Sequence, residues 1–147
     1  MSAAAGAGGR ARRLYVDTSA YLCILLGEAG ADHLSAETVE AELLSSVLLV
    51  LEARRNLVRL AREATLTLEQ YAACMHRIEA DVERFVMRDL TLDLCSSTLM
   101  PAVATPRSLD LAHLRTAVWF HAADPIDRFV TMDVAQREAA SDMGLPV

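Results

Sequence analysis

The run Leu14-Tyr15-Val16 ends at Asp17 and passes without a spacer into an apolar segment, Thr18–Leu26, that stops at Gly27. So short an apolar run, bounded by a carboxylate, suits a strand buried within a sheet and followed at once by a helix. The pattern recurs near the other end. Arg128-Phe129-Val130-Thr131 reads as a compact strand, Asp133 follows it, and Val134–Met143 reads as a helix stopped by Gly144.

Between these ends the same alternation continues. A weak helix is predicted over Ala31–Val39 and a strand over Glu42–Ser45. Ser46 is placed to cap a helix running through "SSVLLVLEARRNLVRLAREA". Thr67 and Gln70 form a capping box for a helix from Leu68 to about Phe85. "VMRDLTL" reads as a strand, "DLCSSTLMPAVATP" as a helix ended by Pro106, and Ser108 as the cap of a helix to about His121. "LPV" at 145–147 reads as a final edge segment. Strands alternating with helices predict an α/β domain with a mostly parallel sheet and right-handed crossovers.

The 147 residues suffice for one domain with a single good core. Residues 1–13, rich in Ala, Gly and Arg, read as a flexible tail whose Arg10, Arg12 and Arg13 can touch phosphates weakly; 14–147 read as the domain. No apolar run reaches the length of a membrane span, and the start lacks the apolar stretch of a secretory signal. Cys23, Cys74 and Cys95 form no paired motif and fit reduced thiols in a cytoplasmic protein. All fourteen basic residues are arginine, so chemistry that needs a lysine amine is excluded. With a net charge of −6, the chain is not a nucleic-acid binder by bulk charge alone.

In a parallel sheet, the residues after each strand gather along one edge, where ligands bind. That brings Asp17 and Asp133 to one rim. Either one also works as a helix cap. Glu52 does not, because it lies two turns into a helix behind "VLLVL" and is expected to be half buried, where a carboxylate needs compensation. Asp110 sits in the first turn of "SLDLAHLRTAVWF", where the helix dipole favours an acid. His113, one turn later, reads as a packed structural residue, and Asp127 reads as a surface acid with a second option as a rim acid. Four hard oxygen donors of this kind suit magnesium or manganese, and two such ions can clamp a phosphodiester during hydrolysis.

The strand–Asp17-Thr18-Ser19–helix start, the glutamate in the helix after "SS", "RSLDLAHLRTA" and "FVTMDVAQREAASDMGLPV" together resemble a PIN domain. Within that superfamily the chain most resembles the VapC-type toxins of bacterial toxin–antitoxin pairs. The resemblance covers Leu14 to Val147 and is strongest at the two ends. It implies a three-layer α/β/α sandwich around a mostly parallel, about five-stranded sheet, and a Mg²⁺- or Mn²⁺-dependent endoribonuclease. The acidic quartet of that family carries over to Asp17, Glu52, Asp110 and Asp133, with Thr18, Ser19 and Thr131 as supporting hydroxyls. It further implies in-line hydrolysis leaving 5′-phosphate and 3′-hydroxyl ends, a small cognate antitoxin, and a homodimer.

The Asp17–Glu52 interval is short for that family, implying a trimmed second helix. Arg115 stands where the family usually has a small residue. Arg55, Arg59 and Arg62 share a helix face that reads first as a solvated, acid-paired surface and second, with Arg115, as an RNA or partner contact. Leu57, Val58 and Leu60 alongside are candidates for packing against a partner. A dehalogenase-like phosphatase would need an acid where Ser19 stands, and it and a receiver domain would each need a lysine. A PIN-like adaptor without activity remains the alternative.

Overall fold

The computed structural model describes residues 9–105 and 107–147. Among these are seven helices and four strands. In chain order they are β1 (Arg13–Val16), α1 (Thr18–Leu26), α2 (Ala31–Thr38), β2 (Glu42–Ser46), α3 (Leu48–Arg62), α4 (Leu68–Val82), β3 (Phe85–Arg88), α5 (Leu92–Ser96), α6 (Ser108–Ala123), β4 (Arg128–Val130) and α7 (Val134–Asp142). The strands form one sheet in the order β3-β2-β1-β4, and every pairing is parallel.

Side chains alternate across a strand, so a strand inside such a sheet feeds two cores. Leu14, Val16, Leu43 and Val130 join one cluster with Ala20, Leu49, Leu57 and Ile78, so that α1, α3 and α4 cover this face. Tyr15, Leu44 and Phe129 join the other with Leu114, Phe120 and Ala140, from α6 and α7. Tyr15 stacks on Phe129 with ring centroids 5.3 Å apart. The fully apolar reading of Leu14–Val16 has its cause here: β1 is covered on both faces.

The chain moves outward from β1 to β2 to β3 with its helices on the first face. It then returns past β1 to β4 by way of α6 on the second. Crossovers of one hand require that change of face when the direction across the sheet reverses. The helix after β1 therefore leaves toward one face and the helix after β4 toward the other, which opens a crevice between the two strand ends.

Several expected boundaries move. The sheet has four strands among the described residues rather than about five. The Leu145-Pro146-Val147 segment does lie against β4, where Phe129 N–H donates to the Pro146 carbonyl at 2.7 Å, but Pro146 has no N–H with which to extend a ladder. β1 begins at Arg13, inside the expected tail; residues 1–8 of that tail lie outside the described residues. Arg10, Arg12 and Arg13 are engaged by acids: Asp124 and Asp127, Glu37, and Glu42 at 2.8 Å, respectively.

Ser46 is the last residue of β2, not the cap position of α3. Its hydroxyl still accepts from Leu48 N–H at 3.2 Å, satisfying a first-turn donor from one position earlier. Ser108 is the first helical residue of α6, and Arg107, which has no acceptor, occupies the cap position. The capping box of Thr67 and Gln70 is formed as read, but α4 ends at Val82, because Phe85 pairs with Leu43 in β3.

The helix expected up to Pro106 is confined to α5. Pro101 disfavours helix at Met100 and has no N–H to donate; Pro106 itself lies outside the described residues. Arg115 explains how so short a helix is held. Its Nη1 stands 3.0 Å from each of the carbonyls of Leu94, Cys95 and Ser97, at the C-terminal end of α5. Its guanidinium is thus engaged in packing α5 against α6. Replacing Arg115 by Ala should cost about 1–3 kcal/mol, the worth of charged hydrogen bonds to otherwise orphaned groups. Denaturant unfolding measures the loss, and amide exchange should place it in 92–97 and the facing turns of α6; unchanged stability would refute the assignment.

Candidate active site at the sheet edge

Asp17, Glu52, Asp110 and Asp133 all line one cavity of about 130 Å³ at the C-terminal edge of the sheet, together with Thr18, Ser19, Leu22, Asn56, Arg107 and His113. Each acid arrives on a different element. Asp17 follows β1, Glu52 is one turn into α3, Asp110 is in the first turn of α6, and Asp133 follows β4. The crevice between the ends of β1 and β4 is where the first and last of these meet.

Both terminal aspartates are helix caps. Ala20 N–H donates to Asp17 Oδ1 at 3.0 Å, and Gln136 N–H donates to Asp133 Oδ1 at 3.2 Å. Hydroxyls tie the two together. Ser19 donates to Asp17 Oδ1 at 2.7 Å, lies 3.1 Å from the Thr131 hydroxyl, and accepts from Met132 N–H at 2.9 Å. Thr131 in turn accepts from Asp133 N–H at 3.1 Å. The Gln136 side chain reaches across to the Asp110 carbonyl at 2.9 Å, fixing the start of α6 to α7.

Glu52 is held by a second network. Thr18 donates to Glu52 Oε1 at 2.8 Å, and His113 Nε2 lies 2.8 Å from the same oxygen. The far side of the imidazole, Nδ1, is 2.8 Å from the hydroxyl of Tyr15, which is fully buried in β1. His113 is thus packed and hydrogen-bonded, but it is also part of the cavity wall, a role its sequence position alone did not disclose. Its separation from Asp110 by one helical turn was the available signal. Arg107 was not singled out in the sequence at all; nothing in its local pattern distinguishes it, and only the fold brings it beside Glu52 and Asp110.

The electrostatics of the cluster are divided. Burial pushes the Asp17 carboxyl above its ordinary range, against hydrogen bonds from Thr131, Ser19 and Ala20 and the pull of His113. Asp110 is also raised. Burial contributes most and Arg107 opposes it, while the neighbouring carboxylates Asp133, Glu52 and Asp17 push further up. Burial raises Glu52 too, but His113, Thr18 and Arg107 together outweigh it and leave this acid below the usual glutamate range. The site therefore holds acids that resist ionising together beside one that ionises readily.

Among the described residues, no three of its acids and imidazoles, nor any others with cysteines, are grouped to grip an ion as they stand. The donor set is nonetheless of the right chemistry for one class of ion. Carboxylate oxygens that repel one another around a small polar cavity suit a hard divalent cation that keeps several of its waters, and soft or closed tetrahedral coordination has no ligands here.

Other residues singled out in the sequence lie elsewhere. Asp127 is at the opposite end of β4, where it accepts from Arg13 N–H at 2.7 Å and so anchors the start of β1. It is not a rim acid of this site. Arg59 pairs with Glu63 at 3.0 Å on the solvated face of α3, while Arg55 lines a groove beside the cavity. Leu57 is in the core, fully buried, and is unavailable to a partner; Val58 is 39% exposed. No protein-family model matches the chain, and no curated protein matches it. No helix among the described residues is long and apolar enough to cross a membrane.

Because the folded protein holds Asp17 above its ordinary pKa, the folded state favours the protonated acid. Below about pH 4, where aspartate is protonated in both states, there is no penalty. The penalty grows as pH rises from the unfolded pKa to the raised folded pKa and is complete above it. Asn keeps the cap but cannot ionise. Metal-free Asp17→Asn should therefore melt higher than the parent protein near pH 7, and the gap should close toward pH 4. Asp17→Ala should fall below Asp17→Asn by about 0.5–2 kcal/mol through loss of the cap. Thermal melts across pH test both, and a lower melting temperature for Asp17→Asn at pH 7 contradicts the first.

Proposed function

We propose that the protein is a Mg²⁺- or Mn²⁺-dependent endoribonuclease of PIN-like, three-layer architecture, acting as the toxin of a toxin–antitoxin pair. One observation carries this reading: four carboxylates from four separate elements line a single cavity at the C-terminal edge of a parallel sheet. Capping accounts for Asp17 and Asp133, and the helix dipole for Asp110. Neither accounts for Glu52, whose placement calls on three buried side chains.

In this reading Asp17, Asp110 and Asp133 hold the metal, and Glu52 either joins them or orients the attacking water. The bound ion supplies Lewis acidity toward the phosphodiester and lowers the cost of deprotonating water. The protein's own groups do the positioning. Ser19 and Thr131 fix the two capping aspartates relative to each other. Thr18 and His113 occupy Oε1 of Glu52 and leave Oε2 as its uncommitted oxygen. Glu52 is held in the ionised form, so its free oxygen can accept a hydrogen bond from the attacking water and orient it. In-line attack of that water gives 5′-phosphate and 3′-hydroxyl ends. A small cognate antitoxin, a homodimer and a cytoplasmic location belong to the same proposal.

The adaptor alternative draws on one specific feature: Oε1 of Glu52 is already committed to His113 and Thr18, and the acids do not converge as a ready cage. A cleavage assay separates the two. RNA incubated with the protein and Mg²⁺ or Mn²⁺ should be cut, and Asp17→Asn or a chelator should reduce cutting to the buffer level. His113→Ala should weaken Mn²⁺ binding, followed by calorimetry, by about 10–100-fold, the usual effect of removing a group that orients a ligand. Cleavage that survives both Asp17→Asn and chelation rules the mechanism out.

A further inference from the structure

A second concavity of about 430 Å³ adjoins the carboxylate cavity and shares Glu52, Asn56 and Arg107 with it; Arg55 and Leu109 complete its walls. Most of the arginines nearby are committed. Arg54 pairs with Glu79, Arg59 with Glu63, and Arg77 with Asp81. Arg115 reaches backbone carbonyls, and Arg137 donates to the Thr131 carbonyl. Among the described residues, Arg55 and Arg107 have no ion-pair or side-chain hydrogen-bond partner, and both are exposed. They stand at the mouth of a site whose other charged groups are all acids. An anionic ligand drawn to those acids through a divalent ion needs cations beside them, and guanidinium forks match phosphate oxygens.

We propose that this groove is a phosphate-binding subsite that seats the nucleotide adjoining the scissile bond of a single-stranded RNA, with Arg55 and Arg107 contacting its phosphates and Leu109 lying along its ribose or base. The volume is in the range of a site for one small-ligand-sized unit. A single strand can splay one nucleotide into such a groove and lead the next phosphate to the carboxylates, which a duplex does not allow without opening. The subsite rests on the nuclease reading for its orientation, but its occupancy can be measured without cleavage.

Asp17→Asn protein, which keeps the α1 cap, is titrated with a short fluorescein-labelled single-stranded RNA in Mg²⁺, and anisotropy is read at several salt concentrations. On this background Arg55→Gln and Arg107→Gln should each weaken binding about tenfold, as for one lost charge-assisted contact. Each should also flatten the dependence of log K on log salt by about 0.7, as for one phosphate contact on a single strand. Arg62→Gln, exposed on the same helix but outside the groove, should change affinity by less than about twofold and leave the salt slope unaltered. Unaltered binding by the Arg55→Gln/Arg107→Gln double variant overturns the subsite, as does an equal loss with Arg62→Gln or the absence of RNA binding altogether. Polyglutamate competing as well as RNA of equal charge overturns the phosphate assignment. Arginine-dependent binding without any cleavage by the parent protein would keep the subsite and remove the nuclease; cleavage with arginine-independent binding would do the reverse.

Discussion

Asp17 sits where β1 stops and α1 starts, beside the end of β4, and the residue is 5% exposed. Its backbone N–H donates to the Val130 carbonyl at 3.1 Å, extending the β1–β4 pairing by one bond, while its side chain caps α1 and receives the Ser19 hydroxyl. A desolvated carboxylate is costly unless hydrogen bonds or a cation compensate it. Here the hydrogen bonds compensate only in part, as the raised pKa records. The same side chain therefore builds the junction and leaves it electrostatically unfinished. Whatever neutralises the cluster also completes the junction, which couples ligand binding to the stability of the fold.

The two edges of the sheet make the point by contrast. At the start of the strands, acids and bases alternate and pair: Arg13 with Glu42, Arg128 with Glu37 at 2.6 Å, Arg10 with Asp124 and Asp127. At the other edge the acids collect, and Arg107 is the guanidinium that acts on both Glu52 and Asp110. A sheet needs no such asymmetry to fold, since paired charges at both ends would serve solubility equally well. Like charges gathered at the edge where parallel sheets bind ligands mark that edge for an electropositive visitor.

Much of this was legible because it is local. Strand–carboxylate–helix junctions at Asp17 and Asp133, the Thr67–Gln70 capping box and the glycine stops all depend on neighbours within a turn. The parts that were not legible depend on neighbours far away in the chain. The β3 boundary is set by pairing with β2, not by the composition of "VMRDLTL". Arg115 looked like a misplaced charge until α5 was seen to end above it. Asp127 resembled the site acids in kind but lies one strand length from them, and Arg107 became part of the cavity only because α6 starts there. Spacing along the chain carries helix faces and caps; it does not carry which loop lies beside which.

Glu52 decides how the cavity should be understood. A mid-helix carboxylate could have turned to solvent along its flexible stem. Instead it is 20% exposed at the side chain and bonded to Thr18 and His113. Behind His113 stands Tyr15, whose hydroxyl is held protonated because burial and the nearby Asp17 push its pKa up. The geometry is satisfied when Tyr15 donates to Nδ1 and the Nε2–H donates to the carboxylate, a relay that ends on the oxygen to which Thr18 also donates. The short stretch Tyr15–Thr18, from β1 into α1, thus supplies the buried tyrosine, the capping acid and the threonine, and serves both carboxylate networks. A merely structural glutamate would not need that much of the core arranged around one of its oxygens. A glutamate whose second oxygen has work to do would, because restraining the first fixes where the second can act.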